Sequence, residues 1–249
     1  MTTHAQAYDE ALLNQLTGAT SSEPFPDTVT QDGIDGKFKP DGTAVRFPGN
    51  TFICHIDPAS DAYAALVRLQ NEVRNGPYSE YFTQLPPESL HMTVFPSVCG
   101  DPLGYDGFPD GFAKGTGLGE ITETYRTRAL ETTGFASCTI SALKPFLGYS
   151  VHVDGATPSD RNILSQMRQT LQSLTGLRRP DFSGYQFHIT LAYRIKWMSE
   201  DIAKAHLDHM DTAFNDEKDA LVNISLGQIE FCSFEDMTHF ERLALLPAH

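Results

Sequence analysis

Leu90-His91-Met92-Thr93-Val94-Phe95 and Gln186-Phe187-His188-Ile189-Thr190-Leu191-Ala192-Tyr193 carry one pattern twice, His-x-Thr between apolar residues. Each stretch reads as a β-strand. On a strand, residues i and i+2 point to the same face, so His91 shares a face with Thr93, and His188 with Thr190. The copies lie 97 residues apart, and none of the other seven histidines has Thr two positions on. With these frequencies about one His-x-Thr arises by chance, so context carries the signal.

That context repeats as well. Ahead of the first motif, 51–56 reads as a strand. Helical spacing follows from Pro58 to Asn75 (apolar at Tyr63, Leu66, Val67, Leu69 and Val73), stopped by Gly76-Pro77. Ahead of the second, 138–143 and 147–153 read as strands. Thr157-Pro158-Ser159-Asp160 then opens a helix to about Leu174, with Gly176 as its cap. Both halves therefore run strand, helix, motif strand. Between them, 100–119 is rich in Gly, Pro and Asp and reads as a long loop. Helices are expected over 120–131 and 199–215, and closing strands over 221–234 and 241–246. Residues 1–48 read as an N-terminal arm with a helix over 5–17 and a hairpin around Pro40-Asp41-Gly42. The remainder, 49–249, is expected to be one bilobal domain. Lobe one covers about 49–99, and the part after the loop is mainly lobe two with the closing strands.

Composition bounds the partners. The 249 residues hold 18 Lys+Arg against 32 Asp+Glu, a net charge of -14. Bulk DNA or RNA binding needs a broad basic surface, which this chain lacks. A small anion held by a few local donors is compatible with it. The four cysteines are scattered with no Cys-x-x-Cys pair, and the N-terminus has no basic start followed by an apolar run. No stretch approaches membrane-spanning length. A cytoplasmic protein with reduced thiols and no membrane partner is the expectation.

Two imidazoles and two hydroxyls converging on one cleft suit the opening of a cyclic phosphodiester by water. One neutral His takes a proton from the water, and the other, protonated, gives one to the leaving oxygen. The hydroxyls donate to the phosphoryl oxygens as charge builds.

At His91-Met92-Thr93-Val94 and His188-Ile189-Thr190-Leu191 the sequence resembles the 2H phosphoesterase superfamily, over roughly residues 50–246. The resemblance implies an α+β fold of two pseudo-symmetric lobes, each an antiparallel sheet with helices outside, forming a central cleft. It implies hydrolysis of a 2′,3′-cyclic nucleotide or similar small phosphodiester without metal or other cofactor. Short RNA ends are the wider substrate option, and the scarcity of basic residues favours the smaller one. By carry-over His91 and His188 are the acid–base pair, and Thr93 and Thr190 hold phosphate.

Tyr193 is the candidate for the substrate-contacting aromatic that some members carry after the second motif. Strand alternation turns it away from His188 unless the strand ends or bulges there, and a packing tyrosine is the competing reading. Phe95 continues the His91–Thr93 face and is a candidate to stack on a base, or a core residue. Arg194, with Lys196, Arg178 and Arg179, is a candidate for a terminal phosphate, or part of the charged surface.

Two other classes stay open. His55-x-Asp57, His152-x-Asp154, His206-x-Asp208 and His209-x-Asp211 pair imidazole with carboxylate and could serve a metal-dependent phosphohydrolase. The same cleft could instead bind a nucleotide without turning it over.

Overall fold

Capping and periodicity place the elements close to where the sequence puts them. The computed structural model describes residues 8–33, 36–104 and 107–248. In chain order these hold α1 (Glu10–Thr17), β1 (Gly49–His55), α2 (Asp61–Asn75), β2 (Phe82–Gln84), β3 (His91–Cys99), α3 (Leu118–Glu131), β4 (Cys138–Phe146) and β5 (Ser150–Gly155). They continue with α4 (Pro158–Thr175), β6 (His188–Thr190), β7 (Ala192–Arg194), α5 (Glu200–Glu217), β8 (Ile224–Leu226), β9 (Glu230–Phe234) and β10 (Glu241–Leu245). At α4, the Thr157 hydroxyl accepts from Asp160 N–H while the Asp160 carboxylate accepts from Thr157 N–H, a reciprocal cap. Gly176 ends the helix at φ 67°, the left-handed conformation that glycine adopts without Cβ strain.

Eight strands form one antiparallel sheet in the order β10-β9-β1-β3-β6-β5-β4-β8. The two motif strands lie side by side at its middle, with Met92 the register partner of Ile189. This seam joins a half made of β10, β9, β1 and β3 to a half made of β6, β5, β4 and β8. Met92 and Ile189 are both fully buried, while the flanking histidines and threonines are only partly buried. α4 packs against β3 and β5, and α3 against β9 and β10. Helices thus cover the Met92 face and leave the His-x-Thr face open.

Two differences from the sequence reading bear on the site. The closing strands divide between the halves: β8 stays with the second half, while β9 pairs with β1, and β10 with β9, beside the first motif. β1 would otherwise leave one side of a strand buried from Gly49 to Cys54 open as an edge, and edge pairing is invisible to local pattern. What reads as one strand over 221–234 is divided at Gly227-Gln228, β8 pairing with β4 and β9 crossing to β1. In the arm, the expected helix is described from Glu10, residues 5–7 lying outside the described residues. The expected hairpin is a tight turn closed by a Phe38–Ala44 bridge, with Phe38 buried and also bridged to Val29.

Candidate active site

His91, Thr93, His188 and Thr190 all line one cavity of about 230 Å³, together with Tyr193. Antiparallel register about the Met92–Ile189 pair sets His91 opposite Thr190 and Thr93 opposite His188. The two histidines then sit on a diagonal, about 7 Å apart at Cβ.

Both imidazoles are held the same way. His91 Nδ1 lies 2.6 Å from the Ser89 carbonyl oxygen, and His188 Nδ1 lies 3.0 Å from that of Gln186. A carbonyl only accepts, so each Nδ1 carries hydrogen and each neutral ring keeps its lone pair on Nε2. Burial pushes His91 down to about 4, its contact with the Ser89 carbonyl opposing this only in part. His188 is also lowered, by burial first and by Lys37 as well. Both shifts favour the neutral imidazole at neutral pH.

Aromatic rings flank the pair. Phe240 meets His91 edge-on at 4.5 Å between ring centres, and Tyr185 lies 6.2 Å from His188. Tyr185 is tied down in turn. Its hydroxyl donates to the Thr93 carbonyl at 3.4 Å, and the buried Arg168 guanidinium stacks on its ring at 4.0 Å.

Tyr193 reaches the cavity because the strand breaks. The Leu191 and Ala192 N–H groups both donate to the Tyr149 carbonyl, and buried Gln70 donates to the Leu191 carbonyl. The chain then restarts as β7, paired with β2 in a separate two-stranded sheet. Tyr193 packs on Phe38 of the arm at 5.1 Å.

Phe95 does not line the cavity and is fully buried. The register runs Ile53 to Thr93 and then Phe52 to Phe95, so Val94 is an extra residue, a bulge that reverses the alternation. Arg168 secures the bulge by donating to the Val94 carbonyl at 2.7 Å, so the cleft-facing residue after Thr93 is Pro96. Arg194 also lies off the cavity. It stands over Trp197 at 4.6 Å, on the strand face opposite Tyr193. Lys196 pairs with Glu80 and Arg178 with Asp110, both at the surface. The cations that do line the cavity are Arg179 and Lys37.

Sequence reasoning missed Lys37, Tyr185, Phe240 and Arg168. The arm and the loop before β10 carry no local mark of the site. Arg168 had one: it occupies a core-facing turn of α4 between Leu164, Met167 and Leu171, where a cation needs a reason.

The imidazole–carboxylate pairs of α5 go elsewhere. His206 contacts the Gly148 carbonyl and His209 the Glu72 carboxylate. Among the described residues no group of three or more His, Cys, Asp and Glu is gathered to hold a metal ion. The described helices include none long and apolar enough to cross a membrane.

Two His-x-Thr strands are joined antiparallel at the centre of one sheet, and part of the chain that carries them is similar to a 2H phosphodiesterase family model. In particular, residues 37–140 match the family model 2H-phosphodiest, a domain of unknown function (DUF1868); the match contains the first motif and ends before the second. A crystal structure of a conserved protein of unknown function from Agrobacterium tumefaciens str. C58 is similar at 26% identity and TM-score 0.84, over 96% of this chain and 99% of that one. A phosphoesterase structure is similar at 10% identity and TM-score 0.45, over 81% of this chain and 99% of that one. Escherichia coli LigT, crystallised with NADP+, is similar at 11% identity and TM-score 0.45, over 82% and 99%. No curated protein matches the chain.

Proposed function

We propose that this chain hydrolyses a small cyclic phosphodiester, a 2′,3′-cyclic nucleotide or a close analogue, by paired histidine acid–base catalysis that needs no metal. The observation that carries the reading is the shared tautomer of His91 and His188, each with Nε2 free to exchange a proton. Water gives a proton to one Nε2 as its oxygen attacks phosphorus. The bond from phosphorus to one ring oxygen breaks, and that oxygen takes a proton from the other Nε2. Thr93 and Thr190 donate to the non-bridging oxygens. The anionic phosphate, entering between two neutral rings, supplies the charge that brings one of them its proton. The cavity is below the roughly 300–1,000 Å³ of sites for larger ligands, which suits a mononucleotide better than a polymer.

The test is hydrolysis of 2′,3′-cyclic nucleotides in excess chelator by wild type, His91→Ala and His188→Ala. Wild-type turnover that each variant lowers by about a hundredfold or more supports the reading. Turnover abolished by chelator points to a metal-dependent hydrolase. Tight nucleotide binding without turnover points to a binding module.

A further inference from the structure

We infer that His55, held by Glu230, is the positioning residue that keeps His91 free of a proton while His188 takes one. This rests on the acid–base reading above and assigns its two roles.

The two halves correspond more closely than the motifs alone require. His55 is the register partner of His91 across β1–β3, and His152 is the register partner of His188 across β5–β6. What stands behind these second histidines differs. His55 Nδ1 lies 3.0 Å from Glu230 Oε1, and since a carboxylate only accepts, that nitrogen carries the hydrogen. Arg242 lies 3.6 Å from the other Glu230 oxygen. The His55 ring meets His91 edge-on, 5.9 Å between centres at 70°. His152 instead lies flat on Phe146, 4.1 Å away at 15°. Its Nε2 is buried with no hydrogen-bond partner, and burial pushes the ring down to about 4. The first half therefore sets a carboxylate-bonded imidazole edge-on beside its motif histidine. The second half sets an imidazole with no carboxylate partner on a phenylalanine ring.

The groups facing His91 are His55 from β1, Glu230 from β9 and His188 from β6. Burial is the main force against a proton on His91; His55 and His188 add to it, and Glu230 opposes it. Arg242 draws on the charge of Glu230 from β10. The groups facing His188 are Lys37 from the arm, His152 from β5, His91 across the seam and the neutral Tyr185. Lys37 works against a proton there, and the negative charge of the phosphate in the proposed complex opposes it.

The experiment is an NMR titration of the imidazole nitrogens in 15N-histidine-labelled protein, for wild type, His55→Gln and His152→Gln. Glutamine at 55 keeps an N–H for Glu230, and unshifted His206 signals report a native fold. The expected results are a His91 midpoint below that of His188 in wild type, raised by about one pH unit in His55→Gln. His152→Gln leaves His188 where it was. In the hydrolysis assay the acid limb of kcat/KM moves up with the His91 midpoint. An unmoved His91 in natively folded His55→Gln, or equal shifts in both halves, overturns the inference. The NMR result is read whether or not a substrate is found: a moved midpoint without turnover of any phosphodiester retires the hydrolase reading and the two roles while supporting the control of His91 by His55, and an unmoved midpoint with turnover overturns only the inference.

Discussion

Met92 and Ile189 face each other across the seam between the motif strands, and both are sealed beneath the helices. This pair is the local pivot of the site. Each half contributes one imidazole and one hydroxyl, and register hands each histidine the hydroxyl of the other half as its direct neighbour.

Thr93→Val and Thr190→Val will therefore each lower kcat by about a hundredfold, the loss seen when one transition-state donor is removed. Melting temperatures should stay near wild type, because both positions are only partly buried. A KM change with unchanged kcat would show that the hydroxyls hold the ground state instead.

The pH profile of kcat/KM has a definite side. His91, the proposed base, must be unprotonated, which holds above about 4. The acid must be protonated, and His188 lies below the ordinary 6.5. The optimum is expected between these values, on the acid side of neutrality. An optimum above pH 8 in the steady-state assay would be incompatible with this pair of histidines.

Phe95 and Tyr193 will separate under substitution. Phe95→Ala should cost about 3–5 kcal/mol of stability in denaturant unfolding, with KM unchanged in whatever protein folds. Tyr193→Ala should raise KM by about tenfold, the loss expected for one stacked base.

His206 couples stability to acid. It is 1% exposed, stacked near Phe82 and Tyr78, and burial pushes it down to about 4 from 6.5. Between those values the unfolded chain binds a proton that the folded chain refuses, so stability is whole above pH 6.5 and falls as pH drops toward 4. His206→Gln should flatten that fall by about 1.4 kcal/mol per pH unit, measured by urea unfolding from pH 7 to 4.

The motif strands, the helices and their caps were legible because each is marked by local periodicity or a capping residue. The exceptions all have non-local causes. Phe95 leaves the cleft because a bulge at Val94 reverses the alternation, and the Arg168 contact that holds it comes from 74 residues away. Tyr193 enters because Gln70 and Tyr149, distant in sequence, hold the break after Thr190. The condition for that entry was readable in the sequence, but the break itself was not. Lys37 belongs to an arm whose docking no pattern announces.

The crossing of β9 to β1 has a consequence for how the chain is made. The second half is assembled from one uninterrupted stretch, 138–226, and can close as soon as that stretch has left the ribosome. The first half begins at residue 49 yet lacks its outer strands until 230–245 have been translated. A nascent chain therefore carries its earlier motif histidine on an unfinished sheet while the strands around the later one are already made. The open flank of β1 is the surface a chaperone would meet, or a neighbouring nascent chain would wrongly complete.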